Sequence, residues 1–384
     1  MKRIPALPNR GMMSALIAAS VTVVAIGLAP PPGVAGASGS GGALAPVAPT
    51  RVVPQDATTT TTTTSTSPAT AQSIFAGPSR GECITPNVAG TSSVGYLQSL
   101  ATSFNNLTGT TVTCLSAYLD NAQTWAPWEH PWVTVAANGY TGWVAQDPHV
   151  RELVLEVDMI PKSLANAQNP TKWEQACASG HYNGYATVLG RSLVAAGLQN
   201  SVIRLGAEMN GQWEADFIGT TVPEQKLWAK CFANEVTGLR RAKGENFLID
   251  WNPNACADRY LYPNYYPGNA YVNIMGLDLY DVGCITPYQR LTFAQLASEQ
   301  LGLNYFESFA AAKGKPMSLP EWGLAALPAG DDPGYISGIG KVFQTKDFAF
   351  ETYFDRTGPS IGSLPLGPTT PLSVAAFRQW FGST

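Results

Sequence analysis

Short apolar runs alternate with segments of helical periodicity from about residue 80 to the end of the chain. β-Branched and apolar runs predict eight strands, at residues 81–84, 111–119, 153–160, 202–208, 247–252, 272–280, 317–321 and 348–354. Apolar residues at helical spacing predict helices at residues 93–107, 181–198, 223–242, 293–312 and 372–381. Strands that alternate with helices indicate the α/β class. Eight such strands favour a single (β/α)8 TIM barrel over a doubly wound open sheet.

The N-terminal part of the chain has a different composition. Basic residues precede an apolar run at residues 12–29, and Ala35-Gly36-Ala37 is typical of a cleavage site, so we expect a signal peptide at residues 1–37. Because the apolar run is long, an uncleaved membrane anchor is the alternative. Residues 38–73 are rich in Thr, Pro, Ser and Gly, which predicts a disordered linker. The barrel domain is expected at residues 74–384.

The composition of the chain argues against several classes of function. Charged residues make up only 13% of the chain, and 23 Lys and Arg face 27 Asp and Glu, for a net charge of −4. No basic run extends beyond Arg240-Arg241, which argues against nucleic acid as a partner. His130, His149 and His181 are isolated, so we expect neither a metal centre nor a Ser-His-Asp arrangement. We expect no cofactor, and no membrane partner beyond the possible anchor.

The six cysteines agree with export, because an oxidising compartment permits disulfides. They are spaced too widely for a CxxC metal site, and six cysteines allow many pairings. If the strand assignment holds, cysteines that are neighbours in sequence lie on or near neighbouring strands or helices. We therefore expect sequential pairing, as Cys83–Cys114, Cys177–Cys231 and Cys256–Cys284.

Two predicted strands end in a carboxylate that tryptophan follows closely. The fourth strand ends at Glu208 and opens into a loop with Asn210 and Trp213, and the seventh ends at Glu321, directly before Trp322. The active site of such a barrel lies at the carboxyl ends of its strands. Two carboxyl groups and aromatic platforms are what glycoside hydrolysis requires. The sequence therefore predicts a glycosidase.

Three motifs resemble those of glycoside hydrolase family 26, which contains endo-β-mannanases. Arg204-Leu205-Gly206-Ala207-Glu208-Met209-Asn210-Gly211 resembles its acid/base motif, and Pro320-Glu321-Trp322-Gly323 resembles its nucleophile motif. Gly276-Leu277-Asp278-Leu279-Tyr280-Asp281 resembles its sixth-strand motif. The resemblance runs from about residue 80 to the end, and it implies a retaining (β/α)8-barrel glycosidase. One position departs from the family pattern, because the mannanases usually carry His where this chain has Ala207. This difference leaves the two-carboxylate mechanism intact, but it does not decide which sugar is the substrate.

The resemblance and the chemistry together assign roles to the catalytic groups. Glu208 is expected to be the general acid and base, with a pKa raised by the negative charge of Glu321, the expected nucleophile. Tyr280 is expected to hydrogen-bond the nucleophile and to keep it oriented. Arg204 is expected to favour the ionised form of Glu321, or alternatively to neutralise acids inside the barrel.

Four further residues are candidates for contacts with substrate, and one for support. Asn210 is expected to orient Glu208 or to contact a sugar hydroxyl. Trp213 and Trp322 are expected to offer stacking faces for sugar rings, the alternative being packing at the rim. Asp278 and Asn252 are weaker candidates for substrate binding, because such residues are more often structural hydrogen-bonding groups.

We predict a secreted, monomeric, retaining endo-β-glycosidase that hydrolyses a polysaccharide, with β-1,4-mannan as the first candidate. Xylan, mixed-linkage glucan and other envelope glycans are alternatives that use the same mechanism. Two alternatives of another class are a non-catalytic carbohydrate-binding protein on a degenerate barrel and a structural surface protein on a Thr-rich stalk.

Overall fold

The computed structural model describes residues 81–382, except for residues 89–91, 120–121, 136–137, 168–169, 257–259, 284–288, 328 and 358–362. The expected signal peptide and linker lie outside the described residues and stay predictions, as does the start of the domain at residue 74. Within the described part of the chain, no helix combines the length and apolar character needed to cross a membrane.

Parallel strands close into a barrel with eight strand positions, which confirms the predicted (β/α)8 fold. β6 pairs with β5 and β8, and β7 pairs with β8 further along, so β6 and β7 share the sixth position. β9 pairs with both β8 and β1, which closes the barrel. The strands are β1 (Glu82–Ile84), β2 (Val112–Tyr118), β3 (Glu152–Val157), β4 (Val202–Leu205), β5 (Leu248–Trp251), β6 (Ile274–Gly276), β7 (Leu279–Tyr280), β8 (Met317–Ala325) and β9 (Phe348–Tyr353).

Helices and one short outer strand complete the described fold. The outer strand, β10 (Ser363–Leu364), pairs antiparallel with the end of β8. The helices are α1 (Val94–Thr108), α2 (Trp125–Glu129), α3 (Gly139–Gln146), α4 (Lys162–Ala167), α5 (Pro170–Ala178), α6 (Asn183–Ala195), α7 (Val222–Leu239), α8 (Phe293–Ala297), α9 (Leu303–Lys313), α10 (Pro333–Thr345) and α11 (Pro371–Phe381).

Several of these helices begin and end where local chemistry requires it. The side chain of Ser93 caps the start of α1, and Gly109, in the left-handed conformation, ends it. Thr221 and Glu224 form a reciprocal capping box at the start of α7. Such signals are local, and the predicted bounds of α1 and α7 agree with the observed ones to within three residues.

Helices α2 to α5 and α10 have no counterpart among the predicted elements. α10 contains Gly338 and Gly340, which lower intrinsic helix propensity. A Cβ at these two positions would overlap the rings of Phe293 and Trp380, so the glycines allow both rings to lie against the helix backbone. Tertiary packing therefore outweighs propensity in α10.

Two predicted elements are interrupted, and one strand ends before its candidate catalytic residue. The helix predicted at 293–312 is divided into α8 and α9, and Leu301 between them adopts a φ of 57°. The strand predicted at 272–280 is divided into β6 and β7. The strand predicted at 202–208 ends at Leu205, so Glu208 lies in the turn beyond it.

Apolar residues form two separate layers. The larger layer lies between the strands and the helices. The smaller one joins side chains from most of the strands, including Val154, Val202 and Phe350, around the Cys83–Cys114 disulfide, and fills the interior of the barrel. Cys177 and Cys231 are also disulfide-bonded, so two of the three predicted pairs are confirmed. Cys284 lies outside the described residues, and its pairing with Cys256 stays a prediction.

Candidate active site

The turn after β4 presents Glu208 at the carboxyl end of the barrel. Gly206 and Glu208 adopt φ values of 55° and 52°. A Cβ on Gly206 would lie 2.9–3.1 Å from side-chain atoms of Met159, Asp216 and Trp228, so the turn also lacks room for a side chain there. For Glu208 the left-handed conformation costs about 1–2 kcal/mol. Such strain is concentrated at functional sites, where the surrounding structure enforces it.

Both oxygens of Glu208 accept hydrogen bonds from neutral donors. The side-chain amide of Asn254 donates to Oε1, and the indole N–H of Trp213 donates to Oε2 at 2.7 Å. Asn210 binds the backbone of Asn254 twice, through Oδ1 and Nδ2, both at 2.8 Å. Asn210 thus holds Asn254, which in turn binds Glu208. No role was predicted for Asn254, although it closes the polar segment after the fifth predicted strand.

Trp213 is the exposed aromatic side chain beside Glu208. Its side chain is 60% exposed, and its ring lies over Gly211, where a Cβ would overlap the indole. The hydrogen bond to Glu208 fixes the edge of the ring and leaves surface available to a ligand. This geometry is compatible with the predicted stacking face.

Glu321 lies on β8 and accepts hydrogen bonds from two tyrosines. The hydroxyl of Tyr280, at the end of β7, donates to Oε1 at 2.5 Å. The hydroxyl of Tyr118, at the end of β2, donates to Oε2 at 2.6 Å. Nη1 of Arg204 lies 3.5 Å from the same Oε2. Tyr118 was missed by the sequence analysis, and its only signal is its place as an aromatic residue near the end of a predicted strand.

Arg204 is fully buried inside the barrel and binds several acceptors at once. Nη2 lies 2.6 Å from Oδ2 of Asp278, Nη1 lies 3.0 Å from Oε2 of Glu156, and Nε donates to Oδ1 of Asn252 at 2.6 Å. A buried guanidinium with this many partners offsets the desolvation of the acids around it. Both predicted actions of Arg204, contact with Glu321 and neutralisation of interior acids, therefore have a structural basis.

Burial and charge shift the ionisation of the site. Burial raises the pKa of Glu208, and the negative charge of Glu321 raises it further. The hydrogen bonds from Asn254 and Trp213 oppose this shift. Burial also raises the pKa of Tyr118 and Tyr280 well above the ordinary value, so both phenols stay protonated and donate. The shift of the Glu208 pKa is therefore in the direction that a general acid requires.

The predicted stacking role of Trp322 is wrong. Its side chain is fully buried, its indole N–H donates to Oε2 of Glu351 at 2.5 Å, and its ring stacks on Phe377 with centroids 5.9 Å apart. Neighbouring residues of a strand point to opposite faces of the sheet. Glu321 faces the interior of the barrel, so Trp322 faces the helices and cannot contact a sugar.

Asp278 and Asn252 are not substrate ligands either. Both side chains are fully buried, and each binds Arg204. They hold the guanidinium in place below the site, so the predicted substrate contacts are replaced by a structural role. Of the four residues predicted to bind substrate, Trp213 alone is exposed.

An acidic cluster near Glu208 could hold a metal ion. Carboxylate oxygens of Asp158, Glu214 and Asp216 lie within 4.8 Å of one another. Burial raises the pKa of Glu214 to about 9 and that of Asp216 to about 6, and the positive charge of Lys162 opposes both shifts. Because raised pKa values favour neutral carboxylic acids and Lys162 supplies a positive charge, the cluster is balanced by this chain's own groups. A second group with ligand atoms close together consists of Cys177, Cys231 and Glu235. Its two sulfur atoms are joined in a disulfide, so they are not thiolate ligands.

Comparisons with known proteins agree with this site. A family model described as glycosyl hydrolase family 26 matches residues 195–307, which include Glu208 and Tyr280. A search of curated protein sequences finds no match. The catalytic domain of an endo-β-1,4-mannanase from Bacillus sp. JAMB-750 is similar, with a TM-score of 0.51, 17% identity, and coverage of 79% of this chain and 85% of that chain.

A β-mannanase from a symbiotic protist of the termite Reticulitermes speratus is also similar. Its TM-score is 0.50 at 14% identity, over 79% of this chain and 86% of that chain. At such identities the structural likeness supports the barrel fold alone, while the family model covers Glu208 and Tyr280 and ends before Glu321. Together the barrel, the carboxylate pair and the family-model match define a glycoside hydrolase. More particularly, the predicted resemblance to glycoside hydrolase family 26 is confirmed over the matched segment, residues 195–307.

Proposed function

We propose that this protein is an exported, retaining endo-β-glycosidase that acts as a monomer on a polysaccharide. One observation carries the proposal: two carboxylates share one site, and the pKa of Glu208 is raised by burial and by the charge of its neighbour. Glu321 instead accepts hydrogen bonds from two phenols and lies beside a guanidinium. A protonated carboxyl next to an ionised one is the arrangement that double displacement requires.

In the first step, an oxygen of Glu321 attacks the anomeric carbon and forms a glycosyl ester. The bond from that carbon to the leaving oxygen breaks, and Glu208 donates its proton to that oxygen. The charge of Glu321 is lost as the ester forms. Burial raises the pKa of Glu208 and so favours the protonated form for this step, and the indole of Trp213 holds the carboxyl in place.

In the second step, Glu208 is ionised and accepts a proton from water. The water oxygen bonds to the anomeric carbon from the face that the leaving group occupied, and the ester bond to Glu321 breaks. Glu321 recovers its charge and Glu208 its proton, so the enzyme is regenerated. Two inversions give a product with the anomeric configuration of the substrate. This mechanism requires a carboxyl separation of about 5–5.5 Å.

β-Mannan is the first candidate substrate. The family-model match supports it, as do the two similar structures, which are both mannanases. Xylan and mixed-linkage glucan remain alternatives, because Ala207 stands where the mannanases usually carry His. Export is supported by the two disulfides and by the N-terminal sequence.

The test is the release of reducing sugar from glucomannan, galactomannan, xylan, laminarin and mixed-linkage glucan. We expect turnover of mannans by the wild type and none by Glu321→Gln. Proton NMR of the first product should show the β anomer, and early α product would contradict retention. Turnover of another glycan would keep the mechanism and change the substrate. Binding without turnover by the wild type would favour the carbohydrate-binding alternative.

A further inference from the structure

The hydroxyls of Tyr118 and Tyr280 lie on opposite oxygens of Glu321. Tyr280 donates to Oε1 at 2.5 Å and Tyr118 to Oε2 at 2.6 Å. Within the described part of the chain, the donors to Glu321 are these two phenols and Arg204. The carboxylate is therefore held at both ends by residues from different strands.

Tyr118 is firmly placed for this contact. It ends β2, where it lies in register with Glu156 on β3. The indole N–H of Trp132 donates to the carbonyl oxygen of Tyr118 at 3.1 Å. Its ring makes an edge contact with Phe354, and the guanidinium of Arg356 lies 5.9 Å from its centroid. The backbone and the ring are both fixed, so the hydroxyl is aimed at Glu321 before any substrate binds.

The two oxygens of Glu321 are not equivalent. Among the described residues Oε1 is bound by Tyr280 alone, whereas Oε2 is bound by Tyr118 and lies 3.5 Å from Arg204. When a glycosyl ester forms, the attacking oxygen becomes an ester oxygen and accepts hydrogen bonds poorly, while the other becomes a carbonyl oxygen and still accepts. Attack through Oε1 loses one neutral hydrogen bond. Attack through Oε2 would lose a neutral bond and a contact with a cation, which is the stronger type.

We propose that Tyr118 is a positioning residue for the nucleophile, which holds Oε2 of Glu321 as the non-attacking oxygen and directs Oε1 toward the anomeric carbon. This proposal rests on the proposed function, because it assumes that Glu321 forms the glycosyl ester. It makes Tyr118 and Tyr280 unequal: Tyr280 releases its acceptor at each turnover, and Tyr118 keeps it throughout.

The protonation of Tyr118 agrees with this role. Burial raises its pKa well above the ordinary value, and the negative charges of Glu321 and Glu156 raise it further. The phenol is therefore a hydrogen-bond donor over the whole pH range in which a glycosidase of this kind works. The neighbouring guanidinium of Arg204 opposes the shift without reversing it.

The test compares Tyr118→Phe with Tyr353→Phe. Each variant loses one hydroxyl and keeps its aromatic ring, so the ring contacts are retained in both. Tyr353 is the matched control, since its buried hydroxyl donates to the carbonyl oxygen of Leu364 at 3.0 Å, away from Glu321. For Tyr118→Phe we expect kcat/KM to fall about 10- to 100-fold, as for loss of a hydrogen bond to a charged group.

The pH profile distinguishes an effect on the position of Glu321 from a general loss of stability. Loss of a hydrogen-bond donor at the nucleophile should move the acid limb of kcat/KM upward by about one pH unit in Tyr118→Phe. The acid limb of Tyr353→Phe should stay where the wild type has it. An unchanged limb and unchanged kcat/KM in Tyr118→Phe would overturn the proposal. Equal shifts in both variants would overturn it as well.

Trapping with a 2-deoxy-2-fluoro glycoside distinguishes this proposal from the proposed function. Mass spectrometry should find the label on Glu321 in the wild type and in Tyr118→Phe, which also shows that the variant is folded. If the wild type carries no label on Glu321, the proposed function fails. In a crystal structure of the labelled wild type, Tyr118 should remain on the carbonyl oxygen of the ester, and a Tyr118 hydroxyl released from Glu321 would contradict the proposal.

Discussion

Glu208 and Glu321 are the same residue type in one site, yet their surroundings differ. Glu208 is held by an amide and an indole, which are both neutral. Glu321 is held by two phenols and lies beside the buried guanidinium of Arg204. The pKa of Glu208 is raised, first by burial and then by the negative charge of Glu321. Neutral donors and burial at Glu208, and two phenols with a guanidinium at Glu321, therefore give the two carboxylates different surroundings.

A role in catalysis thus follows from surroundings rather than from residue identity. Arg204 is anchored by Asp278 and Asn252, so its charge cannot move toward Glu208. The buried polar residues around Arg204 therefore influence the charge environment of the two carboxylates at the mouth of the barrel. Four sets of substitutions test this, in decreasing order of their expected effect.

Removing each carboxylate in turn is the strongest test of the assigned roles. With an activated aryl glycoside, Glu208→Ala and Glu321→Ala should each lose activity by roughly 10³-fold or more. Azide should restore turnover in both variants, because it fits the space that the side chain leaves. Glu208→Ala should yield the β-glycosyl azide and Glu321→Ala the α-glycosyl azide, as measured by proton NMR. The same anomer from both variants would contradict the unequal roles.

Arg204→Met should destabilise the protein by about 3–5 kcal/mol, because it leaves the fully buried Asp278 and the partly buried Glu156 without their cation. Chemical denaturation measures the free energy of unfolding. Arg290→Met is the control, since Arg290 is 57% exposed and its ion pair with Asp332 lies at the surface, where such a pair contributes at most about 1 kcal/mol. Equal losses in the two variants would show that the interior acids do not depend on Arg204.

Trp322→Phe should lower stability by about 1–3 kcal/mol, because Oε2 of Glu351 loses its donor inside the core. Trp213→Phe should change stability by no more than about 0.5 kcal/mol, because the side chain is exposed. Thermal unfolding is measured for both variants, and KM is measured for Trp322→Phe and for Trp213→Ala, which removes the exposed ring. KM should rise for Trp213→Ala and stay constant for Trp322→Phe; a raised KM in Trp322→Phe alone would restore the stacking role to Trp322.

The smallest expected effect concerns pH. The indole of Trp213 lowers the pKa of Glu208, in opposition to burial, so Trp213→Phe should raise that pKa further. Glu208 must be protonated for the first step, and the basic limb of kcat/KM should therefore move upward, by about 0.5–1 pH unit. Trp322→Phe serves as the control and should leave the limb in place. If the basic limb moves to lower pH in Trp213→Phe, the claim that the indole of Trp213 lowers the pKa of Glu208 is contradicted.

The two tryptophans mark the limit of sequence reasoning. Each follows a candidate carboxylate within five residues, and both were predicted to stack on sugars. Trp213 lies in a loop and is exposed, while Trp322 lies on β8 next to an inward-facing residue and is buried. A motif shows which residues are close in the chain, but the strand bounds decide which face a side chain occupies. The same argument applies to Asp278 and Asn252, whose partner Arg204 lies on another strand.

Local patterns in the chain were sufficient to predict the eight strand positions and the two carboxylates at the barrel mouth, and the family resemblance implied that Tyr280 lies beside Glu321. These features depend on periodicity and on short motifs, both of which are visible within a few residues. Other features required the folded barrel: Tyr118 binds a carboxylate 203 residues away, Asn254 and Trp213 share Glu208, and the turn at Glu208 is left-handed. Closure of the barrel creates these contacts, because it brings together strand ends that are far apart in the chain.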